Sequence, residues 1–295
     1  MIDPLIQKLC ARWDVKLPEA AILRAINSTF PGLQSAEPPV DVRSLAKRRG
    51  VTSIREIPMT VDGTISLIKG GGYQIELNSR HSESRKRFTC GHEIGHTFFF
   101  ELEDEVYVKS RSAIDANLDA IDVNRFEEVL CNVAASEILM PRLSFLRQLN
   151  LHGPSAKNII ALSRRFKTSL WATGRRVIEL CPLKLMIAQW EQRPEHECFV
   201  TNWILRSRND RSSYKQLVVD SSSPVYQTFA KMPVFRGKRL MSLGGLVDDY
   251  FVDLIAIRQT TPRLLITVTI FESFASSLFG RATDLSAEPE QLDLY

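Results

Sequence analysis

Three residues that could form part of a catalytic metal site lie close together in the sequence, at positions 92–96. His92 and His96 are four residues apart, so on an α-helix they share one face about one turn apart, and both imidazoles can reach one ion. Glu93 is turned by about 100° from His92, which places its carboxylate beside such a metal. There it could take a proton from water and pass it to a leaving amine, as in a metallopeptidase. We predict that His92 and His96 bind a metal and that Glu93 is the catalytic base.

A catalytic zinc site needs a third protein ligand and keeps its fourth tetrahedral position open. The segment Asn124–Met140 predicts a helix that stops at Pro141, because proline cannot continue the helical hydrogen bonds. Glu128 lies in its first turn, on one stripe with Asn132, and is the predicted third ligand. Glu127 is the alternative, since the sequence does not fix the register. Zn²⁺ is the predicted metal, with Mn²⁺ or another divalent cation as alternatives, because this ligand set does not define the metal uniquely.

Two helices must bring these ligands together. The first is predicted to start at Ser82 or Ser84, either of which can cap it, and to run through His96 to about Phe100. Small residues in both helices would permit close packing between them. These small residues are Gly91 and Gly95 in the first helix, and Cys131, Ala134 and Ala135 in the second.

The rest of the first hundred residues predicts a small α+β unit. Helices are predicted over 9–25, with an interruption near Pro18, and from Asp41. Strands are predicted over 53–58, 63–69 and 73–78, and Asp62-Gly63 predicts a hairpin. Downstream, helices are predicted over 156–166 and 169–179. After Pro182 the pattern becomes β-rich, with strands predicted over 198–205, 216–219, 250–258 and 264–271.

Charge is unevenly distributed, although the net charge of +4 does not by itself imply a polyanion partner. Residues Glu101–Glu128 include nine acidic and three basic side chains, whereas Pro141–Ile178 includes eight basic and no acidic ones. The basic run predicts a helix-turn-helix, with one helix ending near Phe166 and a second capped by Thr168 or Ser169. Such a surface could contact DNA, dock against the acidic block or receive an acidic surface of a substrate protein.

Composition excludes several classes of protein. No run approaches the roughly 18 apolar residues of a membrane helix, and the N-terminus lacks the pattern of a secretory signal. Five scattered cysteines without a CxxC pair fit a reducing cytosol, so we expect a cytoplasmic protein of two or three units. Cys90 and Cys131 lie beside the metal motif, and we interpret both as small core residues rather than ligands or oxidant sensors.

Three blocks of sequence make the chain similar to the ImmA/IrrE family of bacterial metallopeptidases. They are PPVDVRSLAKRRGV, YQIELNSRHSESRKRFTCGHEIGH and EEVLCNVAASEILMP. The resemblance covers roughly Pro38–Pro141 and persists more weakly through Ile178. The family's metal ligands would fall on His92, His96 and Glu128, and its catalytic base on Glu93.

The resemblance also implies a layout and a function. The layout of IrrE-type stress regulators would give an α+β fold with a zincin-like metallopeptidase unit, a helix-turn-helix-like unit and a C-terminal α/β, GAF-like domain. The acidic segment from Ala282 onward is predicted from its own sequence to be a flexible tail. These parts would span 1–141, 142–181, 182–281 and 282–295. Family members cleave a partner repressor of the Xre helix-turn-helix type and so switch on stress or mobile-element genes. We therefore expect a repressor-cleaving peptidase. The alternatives are a DNA-binding regulator with a structural metal, and a sensor whose C-terminal domain gates the peptidase.

Overall fold

A computed structural model of the protein describes residues 4–102, 109–110, 122–207, 216–223, 225–243, 246–258 and 262–270. The chain divides into two compact units, 1–148 with 162–172 and 149–161 with 173–295. The predicted domain boundaries at residues 141 and 181 stay predictions. Most of the acidic block Glu101–Glu128 and all of the predicted tail 282–295 lie outside the described residues.

The first unit contains a four-stranded sheet whose strands follow the order β1-β3-β2-β4. They are β1 (Val51–Ile57), β2 (Gly63–Leu67), β3 (Tyr73–Asn78) and β4 (Lys109–Ser110). β1 runs parallel to β3, and β2 runs antiparallel to both β3 and β4. The predicted hairpin at Asp62-Gly63 is therefore wrong, because β1 and β2 are not neighbours and residues 58–62 cross over to the far side of β3. The hairpin joins β2 to β3 instead, through residues 70–72, three glycines with positive φ.

The helix with the metal motif, α4 (Glu83–Phe100), forms the centre of this unit. It begins after Ser82, one of the two predicted capping residues. Every residue from Thr89 to Phe100 is buried. α4 packs on β2 and β3 on one side, which explains why Ile65 and Ile75 are fully buried. A helix buried along three turns holds its side chains in fixed positions, as a metal centre requires.

α5 (Asp122–Leu139) packs directly against α4 at two glycines. A Cβ atom added to Gly95 would lie 2.9 Å from Cα of Cys131, and one added to Gly91 would lie 3.2 Å from Cα of Ala135. Cβ atoms do not normally approach a backbone so closely, so the helices reach this separation because glycine has no side chain. The predicted close packing of the two helices is confirmed.

Three shorter helices complete the N-terminal part: α1 (Pro4–Arg12), α2 (Pro18–Thr29) and α3 (Val42–Arg48). The predicted interruption near Pro18 is confirmed, and Pro18 begins α2, where its missing N–H costs nothing. Asp41 caps α3 because its Oδ1 accepts a hydrogen bond from the backbone N–H of Ser44 at 3.1 Å. Hydrogen bonds from the Ser44 side chain and backbone lower the pKa of Asp41. α2 packs on the other face of α5.

Three helices follow: α6 (Arg142–His152), α7 (Ala156–Phe166) and α8 (Leu170–Leu180). The sequence predicts α7 and α8 but misses α6, and the helix-turn-helix identity stays a prediction. Among the described residues no single helix is long and apolar enough to cross a membrane. One pair, Phe126–Leu139 with α6, meets the length and composition criteria only together and is bent by 62°.

The second unit is built on a six-stranded antiparallel sheet in the order β7-β6-β5-β10-β9-β8. The strands are β5 (Leu185–Arg193), β6 (Cys198–Arg206), β7 (Val218–Asp220), β8 (Val234–Leu243), β9 (Leu246–Arg258) and β10 (Leu264–Ile270), with α9 (Tyr226–Lys231) between β7 and β8. Its core contains Trp190, Phe199 and Phe229, and Nε1 of Trp190 donates to Oγ1 of Thr267 at 2.9 Å. The sequence predicts four strands but misses β5 and β8, and the GAF-like identity stays a prediction.

We expect Gly95→Ala to destabilise the protein by about 1–3 kcal/mol, because the new methyl group would press against α5. Helix propensity alone would change stability in the opposite direction, by up to about 1 kcal/mol. Urea unfolding measures the difference. Gly91→Ala is the matched comparison and should cost less, because its nearest α5 atom is farther away. A gain in stability for Gly95→Ala would contradict this packing.

Candidate metal centre

α4 brings the two predicted imidazole ligands together inside the first unit. Nε2 of His92 lies 3.1 Å from Nε2 of His96, and the side chains are 0% and 2% exposed. Two nitrogens that each lie about 2.1 Å from a tetrahedral zinc ion are about 3.4 Å apart. The spacing of four residues on a buried helix therefore produces a pair that fits a single cation.

α5 supplies a carboxylate that faces both imidazoles. Glu128 Oε2 lies 3.1 Å from Nε2 of His92, and Glu128 Oε1 lies 3.5 Å from Nε2 of His96. The Glu128 side chain is 39% exposed, so the site is open to solvent on this side. The structure thus brings together the two histidines and the glutamate that the sequence predicts as metal ligands.

The other nitrogen of each imidazole is held by a neighbouring residue of α5. Oε1 of Glu127 accepts from Nδ1 of His96 at 2.8 Å, and Oδ1 of Asn132 lies 3.1 Å from Nδ1 of His92. Glu127, the alternative third ligand, therefore faces the opposite nitrogen of His96 from Glu128. Sequence reasoning missed this role for Glu127 and Asn132. The available signal was that Asn132 lies one turn after Glu128, on the same stripe of α5.

These two contacts decide which nitrogen is available to a metal. When Nδ1 donates to a carboxylate or amide oxygen, Nε2 keeps its lone pair. Both Nε2 lone pairs and the Glu128 carboxylate then point into one space. Two neutral imidazoles and one carboxylate are a donor set suited to a divalent cation of the zinc type. The residues present therefore fit such a metal.

Carboxylates around His96 favour positive charge at this position. Burial opposes protonation of the ring, but the hydrogen bond to Glu127 and the charges of Glu93 and Glu128 outweigh it. The pKa of His96 therefore lies above its ordinary value. The anionic surroundings that favour a proton here would also attract a metal cation.

Glu93 lies beside the imidazole pair and is 1% exposed. Its charge is close enough to His96 to raise the pKa of that ring. The first residue of β2 lies next to it, since a Cβ atom added to Gly63 would be 3.4 Å from Oε1 of Glu93 and would clash with the side chain of Thr89. A glycine at this position therefore lets β2 pass close to the Glu93 carboxylate.

Cys131 provides a competing donor for the third ligand position. Its Sγ, one nitrogen of His92 and one nitrogen of His96 all lie within 4.8 Å of one another, and Cys131 is fully buried. The oxygens of Glu128 lie within 3.5 Å of both Nε2 atoms, so Glu128 is the better placed donor. The other cysteine of the motif, Cys90, is 1% exposed, and burial raises its pKa to about 12. A thiol of this kind stays protonated at neutral pH and packs as a small core residue.

Comparison with known proteins shows that the segment containing this centre is similar to a known domain family. Residues 46–177 match the family described as the IrrE N-terminal-like domain. The radiation response metalloprotease IrrE of Deinococcus radiodurans is 32% identical over 117 residues, which are 39% of this chain and 33% of that protein. The protein of the same name from Deinococcus deserti is 30% identical over 95 residues, which are 32% of each. The matched segment thus spans about a third of the length of these relatives.

One solved structure resembles almost the whole chain. A Mycobacterium tuberculosis transcriptional regulator matches with a TM-score of 0.50 over 92% of this chain and 93% of the other, at 12% sequence identity. At that identity the likeness shows a related fold and nothing about activity.

We expect Glu128→Gln to lose most of its bound zinc, because an amide oxygen is a poorer ligand than a carboxylate, whereas Cys131→Ser should retain about one zinc per chain. Elemental analysis after dialysis against a weak chelator measures the metal content. The reverse result, with zinc lost from Cys131→Ser and kept by Glu128→Gln, would make the sulfur the third ligand.

We expect Glu127→Gln to weaken zinc binding by about 10- to 100-fold while keeping the stoichiometry, because the amide holds the His96 ring less firmly than the carboxylate does. Competition with a chromophoric chelator gives the affinity. Glu83→Gln is the matched control, since Glu83 lies in the first turn of α4 with its side chain 75% exposed. Equal affinities for the two variants would contradict a positioning role for Glu127.

Proposed function

We propose that the protein is a metal-dependent endopeptidase that acts on a regulatory protein, on the premise that residues 46–177, which match the IrrE N-terminal-like domain, form a peptidase unit of the ImmA/IrrE type. The observation that carries the proposal is the convergence of Glu128 on Nε2 of both His92 and His96. A purely structural metal site would normally have four protein ligands, whereas three ligands on a partly exposed site leave room for a substrate.

In this proposal His92, His96 and Glu128 hold the metal, and Glu127 and Asn132 orient the two imidazoles. A bound zinc-type ion would supply Lewis acidity, which lowers the pKa of water and polarises a peptide carbonyl. The near-complete burial of the imidazoles keeps competing water away from their nitrogens and fixes their direction. Mn²⁺ or another divalent cation remains an alternative, since imidazole and carboxylate ligands accept several metals.

Glu93 is the proposed general base and acid. It would accept a proton from the attacking water and return that proton to the amine of the leaving peptide. Support for the role comes from its place beside His96 and from its position within the motif.

The proposed substrate is a transcription repressor of the Xre helix-turn-helix type, as the ImmA/IrrE resemblance implies, and the proposed outcome is expression of stress or mobile-element genes. The two Deinococcus relatives carry the name radiation response metalloprotease, which supports a stress role. Incubation of the purified protein with an Xre-type repressor from the same organism, with and without added metal, tests the pairing. Metal-dependent cleavage at one or a few bonds is the expected result. A repressor that stays intact under all metal conditions would contradict its assignment as the substrate.

We expect Glu93→Gln to bind zinc normally but to lose cleavage by about 100- to 10,000-fold, because the amide cannot take up a proton from water. His92→Ala should lose both zinc and cleavage. Parallel measurements of metal content and product formation separate the two effects, with Glu83→Gln as the control that keeps both. Undiminished proteolysis by purified Glu93→Gln would refute the catalytic assignment.

A second candidate function is DNA binding through the basic segment 142–178. The observation that favours it is the pair α7 and α8, joined by a short turn at Thr168-Ser169, within a run of eight basic residues and no acidic ones. Some of these charges already have acidic partners. Arg176 is buried and bonds Glu179 at 2.9 Å, and Arg147 and Arg165 both lie near Glu37. Salt-dependent, sequence-specific binding of DNA by the full-length protein would support this function, and absence of binding at low salt would remove it.

A further inference from the structure

A cavity of about 420 Å³ lies in the first unit, between the N-terminal part of α4 and the turn that joins α7 to α8. Its walls include two aromatic side chains, Phe88 of α4 and Trp171 of α8, and Trp171 is 41% exposed. Ala172 lies beside Trp171, and the other lining residues are Asp62, Arg85 and several serine and threonine residues. The volume falls within the range of binding pockets for small molecules or single side chains.

One wall of the cavity, Phe88, lies one turn of α4 away from His92. Phe88 precedes His92 by four residues on α4, so the two share one face of the helix about 6 Å apart along its axis. Asp62, another lining residue, directly precedes Gly63, the residue of β2 that lies next to Glu93. An extended peptide advances about 3.3 Å per residue. A peptide bond held at the metal would therefore place a side chain about two residues away at this cavity.

The chemistry of the walls favours an apolar side chain. Two aromatic rings offer a large apolar surface, which favours burial of another apolar group. The one charged pair in the lining is internally neutralised, since Nη2 of Arg85 donates to both carboxylate oxygens of Asp62 at 2.8 and 3.0 Å. A buried charge entering the cavity would therefore find no unpaired opposite charge among these lining residues.

Exposed basic residues lie close to the cavity along the chain. Lys167 directly precedes Thr168, which lines the cavity, and Arg164 and Arg165 lie within four residues of it. These three exposed residues form the basic approach surface. Glu37 lies 3.5 Å from Arg165 and offsets part of this charge. A substrate segment with acidic residues beside its apolar anchor would match the surface.

We propose that this cavity is a specificity subsite of the peptidase, which takes a large apolar side chain, such as leucine, methionine or phenylalanine, within about two residues of the cleaved bond. The subsite rests on the proposed function, because it assigns the substrate preference of the same metal centre. Phe88 and Trp171 form its walls, and the small side chain of Ala172 leaves space for the side chain that binds there. Acidic residues flanking the anchor in the substrate improve binding through the basic approach surface.

The preference can be measured with a peptide library of mixed sequence, cleaved by the full-length, zinc-loaded protein and analysed by mass spectrometry. The wild-type protein is expected to cut bonds that have a large apolar residue at one fixed position. Ala172→Phe, which fills the cavity, should lower the ratio of cleavage at phenylalanine to cleavage at alanine in that position by about tenfold or more. Trp171→Ala should also weaken the preference. Unchanged preference in both variants would overturn the subsite.

Leu143→Ala is the control, because Leu143 is an exposed apolar residue, 60% exposed on α6, outside the cavity. It should leave the preference unchanged. Circular dichroism and thermal unfolding confirm that each variant is folded. A variant that lost stability would lose cleavage of all peptides alike, whereas a subsite variant changes the ranking of peptides.

A binding assay separates failure of the subsite from failure of the proposed function. Fluorescent peptides that contain leucine or phenylalanine within an acidic segment are titrated into Glu93→Gln, Glu93→Gln/Ala172→Phe and Glu93→Gln/Leu143→Ala. Affinity about tenfold lower only in the Ala172→Phe protein supports the subsite, even if the wild type cleaves nothing and the peptidase proposal fails. If the wild type cleaves peptides but Ala172→Phe leaves its preference unchanged, the peptidase proposal stands and the subsite is rejected. If the three variants bind the peptides with equal affinity and the wild type cleaves nothing, both the subsite and the peptidase proposal are rejected.

Discussion

The close packing of α4 against α5 is the constraint on which the metal centre depends. The Glu128 carboxylate reaches the imidazoles of α4 because the backbones meet at Gly91 and Gly95, where no side chain separates them. Helices that pack through larger side chains lie farther apart, and side chains that meet at contact distance here would then be separated. The two glycines are therefore as necessary to this arrangement as the proposed ligands are, although neither could bind a metal.

The rotational position of α5 directs Glu127, Glu128 and Asn132 to different atoms of the two imidazoles. Consecutive residues on a helix are turned by about 100°, so Glu127 and Glu128 approach different nitrogens of His96 rather than the same one. Asn132, one turn after Glu128, reaches Nδ1 of His92. One helix thus supplies the proposed third ligand and both residues that orient the imidazoles, and a shift of one residue would misplace all three.

Local patterns in the sequence predicted much of this arrangement. The spacing of His92, Glu93 and His96 is a property of one helix, and Pro141 marks the end of the next. The shared site of these three residues and the end of α5 could therefore be predicted from the sequence alone. The choice between Glu127 and Glu128 depends on how two helices face each other, which no local pattern contains. The hairpin prediction at Asp62-Gly63 was wrong for the same reason. This dipeptide has the composition of a turn, but β1 pairs in parallel with β3, and Gly63 is needed where β2 approaches α4 closely.

In the second unit the missed strand β5 begins with four consecutive buried residues, Leu185–Ala188, and so lacks the alternation that marks a half-exposed strand. β8 was missed as well, and its pairing partner β9 begins four residues earlier than predicted.

Three carboxylates, those of Glu93, Glu127 and Glu128, surround two largely buried imidazoles. Such a concentration of negative charge in a region of low dielectric is electrostatically unfavourable unless a counter-ion balances it. A dication would offset most of that charge at the point where α4 meets α5, so metal binding and folding of this unit are thermodynamically linked. Removal of a metal bound at this point would therefore lower the free energy of unfolding of the first unit.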